Sequence, residues 1–398
     1  MKLEPLAYHR RVADTLVSKE KDLWDWFQSD KFAEQYQREA QLRLSKSAIQ
    51  LGRDSNANNT RRYDLAEAAR DKLGLAADIL LYQSQDAGGA PNAMLHYIPG
   101  QITVEFSGRI LELLDEDELL DLLGHEIAHY KLYQEEGGRH HTAVRLVHWI
   151  CRRDDCPIIW LETARRLSLY TEVYCDTAGY IVTGSRDTSI RGLAKIIADF
   201  KDADAKTYLA QAEAILAQEK TGSRGLSHPE LYIRAKAIAN REALDEQAFE
   251  ASLLPLIEGP LDIDALDILG QETLAELTRS LIDRFTQPEI NRTDAIMAHA
   301  RHFFPKYRWP SKPSISVFVL PDVTPQTRDY LAYVLLDLAH CDRARAEEAL
   351  GTALAVARQC GLDVTFRRIA RKELKKTADE MAKFERYGLA VLSRAADA

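Results

Sequence analysis

His125-Glu126-Ile127-Ala128-His129 is the stretch of this chain whose residue types and spacing fit one defined chemistry. On a helix, residues four apart share a face, with Cβ atoms roughly 5–6 Å apart. His125 and His129 can therefore grip one zinc ion at about 2.0–2.1 Å each. Glu126, angled beside the metal rather than onto it, is placed to take a proton from an attacking water. Zinc suits such work because it lowers the pKa of bound water to about 7 and polarises a carbonyl. The plain alternative is a surface helix with two solvated histidines. Its neighbours argue otherwise, since Leu119, Leu120, Leu122, Leu123 and Ile127 mark the helix as buried. Two histidines and a glutamate inside such a helix cost free energy unless a metal or other partners engage them.

A catalytic zinc needs one more protein ligand and an open position. The metzincin continuation HExxHxxGxxH is excluded, because Leu132 stands where its glycine belongs and Glu135 where its third histidine belongs. The gluzincin solution takes a glutamate from a second helix. The candidate is Glu172, in Thr171-Glu172-Val173-Tyr174-Cys175-Asp176. Glu172 and Asp176 share a face at i,i+4. Glu172 can then reach the zinc while Asp176 accepts the N–H of a ligand histidine and fixes its tautomer and orientation. Two solvated acids are the bland reading of this pair, and it weakens beside HExxH.

A third block is Ser227-His228-Pro229-Glu230, followed by Arg234. Ser-x-x-Glu is a capping box and proline is tolerated in a first helical turn, so the block reads simply as a helix start. Its functional reading places His228 in the cleft as a stabiliser of the tetrahedral oxyanion, with Arg234 pairing with Asp176 or another acid near the metal.

The elements that must hold these residues are mainly helical. Residues 5–50 are rich in good helix formers, and the polar stretch Gly52–Thr60 reads as a linker, with a short helix over about 63–73. Strand signals are confined to 79–82 and to 93–98 and 101–106, which flank Pro99-Gly100 as a hairpin; Ile102, Val104 and Phe106 alternate as a half-buried strand should. Asp115 with Glu118 makes a capping signal for a helix running to Glu135 and stopping at Gly137-Gly138. Further helices are expected over 142–152, 160–182, 188–200, 205–219 and 228–242. A boundary is expected within 253–262, with a mostly helical remainder and one strand-like piece at 315–320.

These blocks together resemble the HtpX-like family of gluzincins, which also contains the CAAX prenyl endopeptidases. Glu118-Leu119-Leu120 through His129 is similar to that family's helix leading into HExxH. Glu172 to Asp176, with Thr177-Ala178-Gly179, is similar to its ExxxD-x-A-G segment, and Ser227-His228-Pro229 with Arg234 to its T/S-H-P…R block. Pro91-Asn92-Ala93 resembles its Asn-Ala strand. The resemblance spans about residues 65–242. It implies zinc-dependent peptide-bond hydrolysis, with Glu126 as general base, Glu172 as third ligand, and a strand around Asn92, Ala93 and Met94 able to pair with an extended substrate. Two departures stand out. Many members are integral membrane proteases, and this chain has no apolar run of spanning length. Cys175 and Thr177 flank Asp176 where larger or basic residues often sit.

The bulk numbers agree with such an enzyme. The chain has 398 residues and a formal net charge of −9, enough for two or three domains at about 150 residues each and a poor balance for a nucleic-acid binder. Five cysteines, odd in number, suggest reduced thiols and a cytoplasmic location. Cys151 and Cys156, with His140 and His141 nearby, read as core thiols rather than a second metal site. The basic run from Arg367 to Lys376 reads as a solvated helix face. Residues 330–375 are similar to TerB-like helical domains, which suggests a C-terminal interaction or regulatory module and a protein partner there.

The expected architecture is thus α+β, mainly helical. A helical N-terminal region (1–60) precedes a zincin-like metallopeptidase domain with a small sheet and an active-site helix (61–250), and a mostly helical C-terminal region (251–398) follows. The expected activity is that of a metalloendopeptidase with one zinc per chain, acting on a protein or peptide substrate. The competing expectation is a zinc-stabilised interaction or regulatory protein that cleaves nothing, its site closed by His228 as a fourth ligand.

Overall fold

The computed structural model describes residues 2–86, 88–199, 202–218, 222–309 and 318–396. It is mainly helical with one small mixed sheet, and it divides into two compact units, Met1–Gly259 and Pro260–Ala398.

In the first unit, helices α1 (Ala7–Lys19), α2 (Lys21–Phe27) and α3 (Asp30–Ser47) lead into strand β1 (Ala48–Gln50). Helix α4 (Ala57–Lys72) follows, then β2 (Asp78–Ser84), β3 (Asn92–Ile98) and β4 (Gln101–Ser107). After the short α5 (Ile110–Leu113) come α6 (Glu116–Ile150), α7 (Ile158–Thr183), α8 (Arg186–Ala198), α9 (Ala205–Gln218), α10 (Leu231–Ala243) and α11 (Glu246–Ile257). Residues 1–60 are therefore not a separate region. Leu6, Val12, Leu16 and Phe27 are buried, and α1 and α2 pack on α6. The boundary falls at Gly259, inside the expected 253–262 and past the 250 given as the end of the domain, because Phe249, Leu253 and Ile257 of α11 are buried in the first unit.

The sheet order is β1-β2-β4-β3. The 93–98/101–106 hairpin forms as expected, with Ala93 opposite Phe106 and Leu95 opposite Val104. β2 runs parallel to β4. Ile102, Val104 and Phe106 are fully buried, each contributing about 1.5–3 kcal/mol on removal from water. β1 went unread in the sequence because three residues carry no period; it pairs antiparallel with β2. The expected linker at 52–60 is also partly helical, since Asn56 caps α4 by accepting from the Asn59 N–H, and asparagine is as good a cap as a turn residue. β3 lies at the sheet edge, beside α6.

The Asp115–Glu118 capping box forms in both directions, at 2.9 and 3.0 Å. The helix then breaks at Glu135–Gly138, where Glu136, Gly137 and Gly138 take left-handed φ of 50°, 68° and 84°, and it resumes through Ile150. Helix α7 packs along α6 at glycine contacts. A Cβ on Gly179 would lie 2.8 Å from Asp121 Oδ1, and one on Gly124 would lie 3.1 Å from Gly179 Cα. That close approach brings the HExxH face of α6 within reach of Glu172 and Asp176 on α7.

His9 of α1 also grips α7. Its Nδ1 accepts the Leu6 backbone N–H at 3.2 Å, and Nε2 lies 3.2 Å from Thr171 Oγ1, whose own proton goes to the Leu167 carbonyl. The network holds the ring neutral, and burial, then His140 and Arg10, push its pKa from 6.5 to about 3. The unfolded chain takes up this proton below pH about 6.5 and the folded one does not, so this contribution to stability is complete above that pH and is lost as pH falls toward 3. We expect urea denaturation to show stability falling more steeply in wild type than in His9→Gln, by up to about 1.4 kcal/mol per pH unit. Equal slopes would remove His9 as a source of acid sensitivity.

The second unit comprises α12 (Ile268–Phe285), α13 (Asp294–Phe303), α14 (Pro325–His340), α15 (Ala346–Gln359), α16 (Asp363–Leu374) and α17 (Ala378–Ala396). Its core joins Leu281, Phe285, Leu331, Leu335, Leu354 and Phe366. Of the strand-like piece expected at 315–320, residues 315–317 lie outside the described residues, and 318–320 form no strand. On α16, Arg367 pairs with Asp363 and Glu385, and Arg368 with Asp329. No helix among the described residues is long and apolar enough to cross a membrane.

Candidate metal centre

His125, Glu126 and His129 occupy one turn of α6, and Glu172 and Asp176 one turn of α7. Helix α10 supplies Arg234, and the loop before it supplies His228. His125, Glu126, Glu172, Asp176 and Arg234 are all buried.

His125 Nδ1 lies 3.0 Å from Asp176 Oδ1. Its Nε2 is thereby aimed at Glu172, 3.5 Å from Oε2, while His129 Nε2 lies 3.8 Å from Oε1. Donor atoms at about 2.0–2.1 Å from one tetrahedral ion stand roughly 3.4 Å apart. Glu172 Oε2 is buried and accepts no hydrogen bond, although His125, His228 and Arg234 nitrogens surround it at 3.4 to 3.5 Å. A buried carboxylate oxygen left without a hydrogen bond is costly, and a cation between it and the two imidazoles satisfies it. The residues present thus fit a zinc ion.

Arg234 clamps Asp176 through Nε at 2.7 Å and Nη2 at 2.6 Å. Burial opposes the charge on Asp176, yet the Arg234 guanidinium and the His125 hydrogen bond outweigh it and hold the carboxyl well below its usual range. Burial likewise disfavours charge on His125, but Asp176 and Glu172 win and raise its pKa to about 9. For His129 burial prevails, and its pKa falls to about 4. Glu126 is pushed up to about 7, chiefly by burial and further by Glu172, against the pull of His125 and of a hydrogen bond from the Leu95 backbone.

The block at 227–230 differs from its expected form. Helix α10 begins at Leu231, and Glu230 provides no side-chain cap. The Glu230 carboxylate instead accepts from Ser223 Oγ and the Arg224 N–H, at 2.7 and 2.9 Å. The Ser-x-x-Glu pattern is thus spent on a loop. Arg165 pins that loop by donating to the Ser223 and Gly225 carbonyls. His228 stands in it 57% exposed, its Nε2 3.4 Å from Glu172 Oε2, and its Nδ1 2.9 Å from Ser227 Oγ.

A cleft of about 300 Å³ opens over these residues. Asn92, Ala93, Met94 and Leu95 of β3 line one part of its wall, and Leu193, Ile196 and Ile197 of α8 another. All the sequence-predicted site residues meet there except Asp176, which lies behind His125.

Three participants were not read from sequence. Tyr133 lines the cleft and was findable, one turn beyond His129 on the same face. Asp121 lines it as well, accepts from Ser189 Oγ, and is pushed up to about 7 by burial. Cys175 places its sulfur within 4.8 Å of donor nitrogens of both His125 and His129. Its burial, reinforced by Glu172, Glu126 and Asp176, drives the thiol well above its usual pKa. Cys151 and Cys156 are partly exposed at the end of α6 rather than in the core. His141 packs against Tyr97 and Tyr36, away from them.

No protein-family model, curated protein or solved structure matches the chain.

Proposed function

We propose that this chain is a zinc-dependent metalloendopeptidase of the gluzincin type, built on a zincin-like pairing of an active-site helix with the edge of a small sheet. The observation that carries the reading is the buried Glu172 carboxylate, whose Oε2 has no hydrogen bond and lies 3.5 Å from His125 Nε2 while its Oε1 lies 3.8 Å from His129 Nε2. His125, His129 and Glu172 would hold the zinc. When bound, zinc supplies polarisation of the scissile carbonyl and acidification of water.

The chain's own residues do the rest. The free edge of β3 at Asn92, Ala93 and Met94 offers backbone groups to an extended peptide, which would add as a strand and bring one carbonyl over Glu126. Glu126 is buried beside His125, and burial raises its carboxyl above the usual range in the ion-free site, which suits a group that must accept a proton and give it back. It takes a proton from the attacking water and returns it to the leaving amine. His228, exposed at the cleft, donates to the oxyanion. Asp176 and Arg234 keep His125 oriented.

The spacing of His228 from Glu172 also suits a fourth donor, which favours the second reading, a closed zinc site with no hydrolytic role. One experiment separates them. On the peptidase reading, zinc-loaded protein cleaves an unfolded protein such as casein, a chelator stops it, added zinc restores it, and His228→Ala slows turnover with metal retained. Zinc lost from His228→Ala, with no cleavage by wild type, would establish the closed site instead.

A further inference from the structure

Cys175 is absent from the ligand set just proposed, yet it is the residue whose position most needs explaining. Its sulfur and one nitrogen each from His125 and His129 lie within 4.8 Å of one another. It is fully buried and stands one helical turn from Glu172 on α7. A core role alone asks only for a small apolar side chain, and any such residue would fill the place of a thiol among carboxylates. A sulfur beside two imidazoles is instead a soft donor added to a borderline-soft N/O set, the combination that zinc and cobalt accept and magnesium does not.

We propose that Cys175 is a direct metal donor at this centre, sharing the third protein position with Glu172. On coordination the S–H bond breaks, its proton leaves to solvent, and a sulfur–metal bond forms with no change of oxidation state. The high thiol pKa of the ion-free site is no obstacle, because a coordinating thiol is deprotonated by the metal itself. Glu172 and Cys175 stand three residues apart on one face of α7, so either would supply the third donor. The inference rests on the zinc reading above and adds to it the chemical character of the donor set.

The test is cobalt(II) titration of the metal-free full-length chain, followed by absorption spectroscopy. A near-ultraviolet thiolate-to-cobalt charge-transfer band is expected in wild type. It should vanish in Cys175→Ala and persist in the Cys151→Ser/Cys156→Ser/Cys341→Ser triple variant, which removes the partly exposed thiols. Visible ligand-field bands without a charge-transfer band would overturn the role of Cys175 and leave the metal site standing. A band lost in that triple variant would overturn it equally. Failure to bind cobalt at all would overturn both this inference and the metallopeptidase reading. Wild type alone decides the presence of the band, so the outcome does not hang on how well the alanine variant folds.

Discussion

Glu126→Gln is expected to abolish peptide hydrolysis while leaving the protein folded and its zinc in place. The amide is nearly isosteric with the carboxylate, and its oxygen can still accept the Leu95 backbone hydrogen bond that holds Glu126 toward β3. What it cannot do is take a proton from water. General-base catalysis by a positioned side chain is worth roughly 10²–10⁴-fold, so turnover should fall by at least that range. Activity should fall on the acid side of the wild-type profile as Glu126 becomes protonated, since burial raises its carboxyl while a bound cation would lower it. Activity retained in Glu126→Gln would remove Glu126 as the base. Zinc lost from that variant would make it a ligand.

The largest effect on stability is expected from Arg234→Met. Arg234 and Asp176 are 5% and 3% exposed, and two short hydrogen bonds join them. Removing the guanidinium leaves the Asp176 charge buried with only His125 to answer it, and breaking a buried pair in this way costs about 3–5 kcal/mol. The loss should appear as a lowered urea midpoint. The Arg234→Met/Asp176→Asn double variant should be less destabilised than the sum of the two single ones, since the second change removes the stranded charge. A single-variant cost below about 1 kcal/mol would show that the pair is dispensable to the fold.

The placement of these side chains was legible in the sequence where they lie on regular helices. The i,i+4 pairs His125/His129 and Glu172/Asp176 could be placed on faces before any coordinates, because the helical period alone fixes them. The capping box at Asp115 and Glu118 was legible for the same local reason. The start of α10 was not, since Glu230 has two competing uses and the loop from Ser223, invisible to local pattern, takes it. Neither β1 nor the docking of α1 on α7 could be read, because both depend on partners far along the chain: β1 on β2, and His9 on Thr171. Cys175 was visible only as an oddity beside Asp176, and its nearness to the two histidines required the packing of α7 on α6.

Metal analysis of the purified full-length chain tests the central claim most directly. Wild type, loaded with zinc and freed of excess, is expected to carry about one zinc per chain, and a His125→Ala/His129→Ala variant essentially none. A folded wild-type protein that takes up no zinc, or a double-alanine variant that holds as much as wild type, would contradict a metal centre at His125, His129 and Glu172.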